Sequence, residues 1–410
     1  MTVHREPLKN PARHSSHVYA QFRCPFFLRW LIHHVITPVL LVFIMSDAQK
    51  ATASLNLLVE TCTVALSALN EDATDIADYP TADISVLRTD FISLLSILYA
   101  ATTKVALSLK PSDPHHKASL VPLKDLTNNV SALVHSVRLI RRQEGFTIAK
   151  EYEGTTRDTV TAIRSLAQTL LSSSSNSTAS EEYLMKAGGV HEIIEAARKP
   201  GVLSTNNREA VRKLWERDHG SLVDGFEEIK EICEPSEDDS DEADEDFLDD
   251  GWAELGASSK QKLSPREIQR ADKVRAIAKL GVLLHKRIIS DTLSSTSLKD
   301  NPVLDKLGGL SDKILAASDD LISSMYAPQQ LPNVKLYLES YNAVVKDIRC
   351  MVAPRSDDTL EGQLGALPLA SNSEPAKDKT RKWFTTCFDQ MDKAVLNCQA
   401  DLDSEESGSS

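Results

Sequence analysis

The side chains with the most chemistry to offer in this 410-residue chain are its 11 histidines, its six cysteines and one dense run of carboxylates. Their spacing decides what they can do. The cysteines stand at Cys24, Cys62, Cys233, Cys350, Cys387 and Cys398. No two form a C-x-x-C pair and no histidine sits at metal-ligand spacing, so they read as buried thiols of a reducing compartment. His115 and His116 lie between Pro114 and Lys117. They read as exposed loop residues, because a catalytic imidazole needs a Ser, Cys or carboxylate partner that the local sequence does not supply. Gly188-Gly189 and Gly308-Gly309 lack the Lys-Ser/Thr sequel and the preceding strand of a phosphate loop, and read as helix ends or turns. Residues 234–254 hold 12 carboxylates and no base. The run lacks the alternating oxygen ligands and the Gly of a calcium loop, so it reads as solvated charge. No catalytic or metal constellation emerges, and the chain is expected to be non-enzymatic, with no cofactor and no small-molecule substrate.

Three short features could still mediate recognition. Ser236 is followed by Glu237, Asp238 and Asp239, and Ser240 by Asp241 and Glu242, the setting preferred by acidophilic protein kinases. Phosphate there would deepen an existing negative field. Within the same acidic stretch Phe247, Leu248, Trp252 and Leu255 are apolar anchors with no reason to be present in a mere spacer. Trp252 with Leu255 is expected to dock back on a bundle groove; the competing reading is that Trp252 opens the next helix. Arg212-Lys213-Leu214-Trp215 contains the Arg-x-Leu spelling of cyclin-docking peptides, but Leu214 and Trp215 fall on an apolar helical stripe and are expected to pack in a core.

The elements that position these residues are helices. With 15 Gly, 17 Pro and 5% aromatics, the chain has little of the turn vocabulary of a sandwich or barrel. Its Ala, Leu, Lys, Glu and Ser suit helices and their caps. Ile84, Leu87, Phe91, Leu94, Leu98, Ala101 and Val105 are spaced alternately three and four apart, the seam of helices crossing at a shallow angle. Similar stripes predict helices over about 51–69, 120–142, 155–171 and 207–233, five in this half. In the second half Ser264-Pro265-Arg266-Glu267 combines a Ser N-cap, Pro at the first helical position and Glu at the third. Four stripes follow, beginning near Ile268, Leu304, Val334 and Phe384. SSSSNSTAS after residue 171 and the Ser-, Gly- and Pro-rich 354–377 read as loops.

The charge is localised. The formal net charge is −13; from Ser46 onward it is −17, and the acidic run and the last ten residues hold nearly all of that. No run of Lys or Arg exceeds two, so no direct nucleic-acid ligand is expected. Residues 1–45 carry five basic residues ahead of the apolar run WLIHHVITPVLLVFIM. His33, His34 and Pro38 interrupt that run, leaving a clean stretch shorter than the ~18 residues that span a bilayer. Met45-Ser46-Asp47-Ala48 reads as a cytosolic start overrun by upstream translation. A membrane anchor and a cleaved signal are the alternatives, and a membrane role is expected only if residues 26–45 are retained as an anchor.

The fold class that follows is all-α, with two antiparallel helical bundles joined by an acidic disordered linker. The expected divisions are an N-terminal extension 1–45, a first bundle 46–233, the linker 234–262, a four-helix second bundle 263–402 and an acidic tail 403–410. The order of features, with EEIKEICEP, DDGWAEL, LSPREIQRADKV and LDKLGGLSDKILAASDDLISSMYAPQ, resembles the cyclin-D-binding protein family (GCIP), in a form expected to be fungal. Where the family tends to show Tyr-Pro-Pro this chain has Tyr326-Ala327-Pro328. The resemblance implies a non-enzymatic regulator of cytoplasm and nucleus. It would bind cyclins or helix-loop-helix regulators and act in cell-cycle progression and transcription control. A vinculin-like or catenin-like cytoskeletal adaptor is the alternative, since such proteins also chain amphipathic bundles.

Overall fold

The structure, a computed structural model, describes residues 45–71, 82–172, 179–234, 262–295, 298, 300–352 and 374–408. Within them the chain is helical throughout, with no strand. The helices are α1 (Asp47–Asn70), α2 (Ile84–Ser108), α3 (His116–Glu144), α4 (Phe146–Ser172) and α5 (Ala179–Arg198), then α6 (Asn207–Cys233), α7 (Pro265–Arg287), α8 (Asn301–Ser323), α9 (Leu331–Val352) and α10 (Glu374–Gly408). A π-helical turn, Ile288–Leu293, extends α7.

Helix starts follow local capping chemistry. Ser46 accepts from the Gln49 amide while the Gln49 side chain accepts from the Ser46 amide. Ser264 and Glu267 form the capping box expected from their spelling. Asp83 and Asn206 cap α2 and α6 through single side-chain oxygens.

Each bundle is a closed ring of five helices. In the first, α1 packs on α3, α3 on α2, α2 on α5, α5 on α4 and α4 back on α1, around Phe91, Leu98, Leu123, Val130 and Tyr152. In the second the ring runs α6, α8, α9, α10, α7 and back to α6, around Trp215, Leu284, Ile314, Tyr341 and Phe388. Burying one such side chain fully stabilises the fold by about 1.5–3 kcal/mol.

Five expectations need correction. Helix α5 replaces part of the region read as loop and turn: Tyr183, Ala187, Val190, Ile194 and Ala197 form a buried three-four seam. Gly188 and Gly189 lie inside it, and Gly308 and Gly309 inside α8, so neither pair marks a helix end. Gly308 serves close approach, since a Cβ there would stand 3.0 Å from the Thr147 hydroxyl and 3.4 Å from Val211. Helix α6, counted with the first bundle by chain order, sends Val211, Trp215, Leu222, Ile229 and Cys233 into the second core, which therefore has five helices. Only Ala210 near its start joins the first. The residues read as an acidic tail continue α10 as far as Gly408. Basic residues of the neighbouring helices hold them there: Arg270 bonds Glu405 at 2.6 Å and Lys335 bonds Asp403 at 2.7 Å, while Lys273 pairs with Asp401. Cys350 is exposed, while Cys62, Cys233, Cys387 and Cys398 are buried as expected.

Candidate functional site at the bundle junction

The anchors and serines singled out in the acidic stretch, Ser236, Ser240, Phe247, Leu248, Trp252 and Leu255, lie outside the described residues. Of the other candidates, His115 is exposed beside Asp113, with 3.5 Å between them, and His116 opens α3 half-buried. Trp215 is fully buried and its indole N–H donates to the Leu307 carbonyl at 3.1 Å. Leu214 is half-buried and Arg212 is engaged with Glu216 at 3.4 Å. Trp215 packs in a core as expected, whereas Leu214 belongs to neither core and Arg212 stays partly exposed.

The structure gathers polar chemistry where the two bundles meet. Helix α3 ends at Gly145, whose φ of +121° suits glycine and whose amide closes on the Arg141 carbonyl. Helix α4 begins at once with Phe146, so no Ser, Thr, Asp or Asn precedes it as a cap. Its first amides are satisfied from the other bundle instead. Asp305 of α8 accepts from the Phe146 amide at 2.7 Å and from the Thr147 amide at 2.8 Å, and also from the Thr147 hydroxyl at 2.8 Å. Asn207, the first residue of α6, accepts from the Ile148 amide at 2.9 Å and donates to Asp305 at 2.9 Å. A carboxylate here satisfies orphan donors and meets the positive end of the α4 dipole. A Cβ on Gly145 would stand 2.6 Å from Asp305 Oδ2 and 2.9 Å from the Asn207 amide nitrogen, so the corner needs glycine for space as well as for φ.

About three turns further along α6, and nearly two along α8, a second cluster is sealed inside. Ser311 donates to Asp218 at 2.7 Å and lies 3.3 Å from His285 Nε2. His285 stacks on Trp215 with centroids 4.2 Å apart, and His219 stacks on it from the other side at 5.5 Å. Arg217 donates to the second oxygen of Asp218 at 2.7 Å and reaches Asp312 of α8 at 3.1 Å. Burial, helped by the nearby His219, lowers the His285 pKa to about 3, so the ring is neutral. With the serine proton on Asp218, the His285 Nε2 carries the hydrogen that points at Ser311.

Serine, histidine and aspartate together invite comparison with a hydrolase triad. The order differs: Asp218 accepts the Ser311 hydrogen bond directly and does not orient the imidazole through Nδ1, so the Ser–His–Asp relay of a hydrolase is not formed. Ser311 and His285 are 0% exposed and Asp218 2%, which leaves no approach for a substrate. The cluster keys α6, α7 and α8 together.

Chain spelling holds a trace of the junction. A Gly after two basic residues ends a helix, and a helix that starts with no local cap must borrow one; the lender, 158 residues away, is invisible to local pattern.

Two family descriptions match the chain, with a boundary that differs from that of the bundles, since α6 falls in the first match and packs in the second core. Residues 90–235 match the Grap2 and cyclin-D-interacting N-terminal domain, and residues 248–350 match the C-terminal domain of the same family. No individual curated protein shows significant sequence similarity to the chain. The matches occur in order, cover more than half of the sequence and include both sides of the Asp305 junction. The chain therefore belongs to the Grap2 and cyclin-D-interacting protein family.

Proposed function

We propose that this chain is a non-enzymatic, protein-binding regulator whose partners are cyclins or helix-loop-helix regulators. It acts on cell-cycle progression and transcription in cytoplasm and nucleus. The observation that carries this reading is the ordered pair of family matches across both bundles. The inward use of the polar clusters supports it, since Asp305, Asp218, Ser311 and His285 are all spent on joining helices. The acidic stretch tunes attachment: phosphate on Ser236 and Ser240 adds negative charge. The test is affinity capture of the tagged full chain from nuclear and cytoplasmic extracts, read by mass spectrometry against a tag-only control. Enrichment of cyclins or helix-loop-helix regulators is the expected result. Enrichment of actin and junction proteins in their place would overturn it and favour the cytoskeletal adaptor.

A further inference from the structure

The outer face of α2 is unusual in being apolar where it meets solvent. Ile97, Ala100, Lys104 and Leu107 follow one another at three-four spacing along one exposed stripe. Ile97 is 45% exposed and Leu107 71%, and on the adjoining α3 Val121 is 68% exposed. Between the two helices runs an open groove of about 300 Å³ lined by Ser96, Ile97, Ala100, Lys104 and Asp125. Ile97 lines the groove, and Leu107 and Val121 are exposed on the same two helices beyond its lining. Aliphatic side chains scattered singly over a surface need no explanation, but three on one adjoining pair of helices point to an interaction site.

The charges around the groove have one dominant sign. Lys104 lines it, Lys110 follows α2, and Lys117 and Lys124 lie one turn to either side of Val121. All four are exposed and make no ion pair among the described residues. Asp125 is the acid inside the groove, and Asp113 is engaged with His115. This is a cationic, aliphatic surface on a chain whose net charge is −13. A groove between two antiparallel helices fits a third helix laid along it, with aliphatic residues at i, i+3, i+4 and i+7 entering the groove and carboxylates at the edges meeting the lysines.

We propose that the α2–α3 groove is a docking site for an acidic amphipathic helix supplied by a partner protein. Ile97, Leu107 and Val121 take the apolar face, and Lys104, Lys117 and Lys124 select for acidic flanks. This names the contact surface of the protein-binding role proposed above and rests on that reading.

The probe is a fluorescein-labelled helical peptide with a Leu stripe at i, i+3, i+4 and i+7 and Glu at its flanks. A scrambled peptide of the same composition, a peptide with Lys for each Glu, and phosphatidylserine-containing vesicles serve as comparisons. With full-length protein the Glu peptide is expected to bind at least tenfold tighter than the scrambled and Lys peptides, and to weaken about tenfold as salt rises from about 50 to about 500 mM. Val121→Asp should weaken it at least tenfold. The double change Lys104→Glu with Lys124→Glu should reverse the preference toward the Lys peptide. These positions are exposed, so unchanged thermal melting verifies the fold of each variant. Equal binding of the scrambled peptide, indifference to the variants, or binding to vesicles without binding to the peptide would each overturn the groove. Capture of cyclins or helix-loop-helix regulators by wild type, with peptide selectivity absent, would overturn the groove and leave the proposed role standing. Peptide selectivity as expected, with capture of actin and junction proteins only, would overturn the role and leave the groove.

Discussion

The two bundles bury their polar groups in opposite ways. In the first, several buried hydroxyls answer to their own helix: Thr156 donates to the Tyr152 carbonyl at 2.8 Å, Thr159 to Thr155 at 2.8 Å, Ser119 to His116 at 2.7 Å, while the Tyr152 hydroxyl reaches the Ser204 carbonyl at 2.9 Å. In the second, the buried polar groups reach between helices. Asp218 of α6 meets Ser311 of α8, His285 of α7 lies beside both, and Arg270 of α7 bonds Glu405 of α10. A locally satisfied hydroxyl says little about which helix lies opposite, so the helices of the first bundle are placed mainly by apolar stripes, with cross-helix polar links at part-buried or exposed positions such as Thr103 with His191 and Arg138 with the Ala68 carbonyl, each at 3.1 Å. A cross-helix bond leaves a buried group unpaired if the register slips, so it specifies one arrangement and carries a larger penalty when broken. The second bundle is therefore expected to be the more sensitive of the two to single polar changes and to pH.

Fragments probe the largest consequence. A fragment of residues 46–205 keeps the whole first ring and should be soluble and helical. A fragment of 46–233 adds α6 without its core and exposes the Trp215, Leu222 and Ile229 face. It should aggregate or bind a hydrophobic dye. Equal behaviour of the two in sedimentation would mean that α6 belongs to the first bundle after all.

Trp215→Ala removes the largest fully buried side chain together with its bond to Leu307. A loss of about 3–5 kcal/mol is expected in urea unfolding, with the change confined to the second transition if the bundles melt separately. A loss below 1 kcal/mol would contradict the packing described.

The pH response comes next in size. The unfolded imidazole of residue 285 titrates near its ordinary value of 6.5, while the buried one, facing Trp215, His219, Asp218 and Ser311, stays neutral down to about 3. Between those values the unfolded chain binds more protons. The contribution is complete above pH 6.5 and is lost as the pH falls toward 3, by at most about 1.4 kcal/mol per pH unit. His285→Gln should flatten that slope. A slope unchanged by the substitution would place the acid sensitivity elsewhere.

Much of this was legible in the chain. The α2 seam and the Ser264 capping box are local patterns; the box stands as written, and the seam does too except that Leu95 takes the buried place read for Leu94. Helix α5 escaped because two adjacent glycines, Gly188 and Gly189, lower helix propensity by about 1 kcal/mol each and imitate a turn. Packing of Tyr183, Val190 and Ile194 overrides that propensity. The start of α4 escaped because its cap arrives from Asp305 and Asn207, and helix α6 was placed with the wrong core because a stripe tells which face is buried but not against what. The acidic end of α10 looked like a solvated tail because its counter-charges, Arg270, Lys273 and Lys335, lie on α7 and α9.

The claim that most of this rests on is that the bundles are joined by a helix cap lent from one to the other. Asp305→Ala should destabilise the whole chain by about 1–2 kcal/mol, as loss of an N-cap does, and Asp305→Asn, which keeps an acceptor, by less. The direct measurement is amide hydrogen exchange at Phe146, Thr147 and Ile148 in wild type and Asp305→Ala. Protection at Phe146 and Thr147 should fall at least tenfold in the variant, while the α2 amides of the first core exchange as before. Protection of those two amides that is unchanged by the substitution would contradict the shared cap.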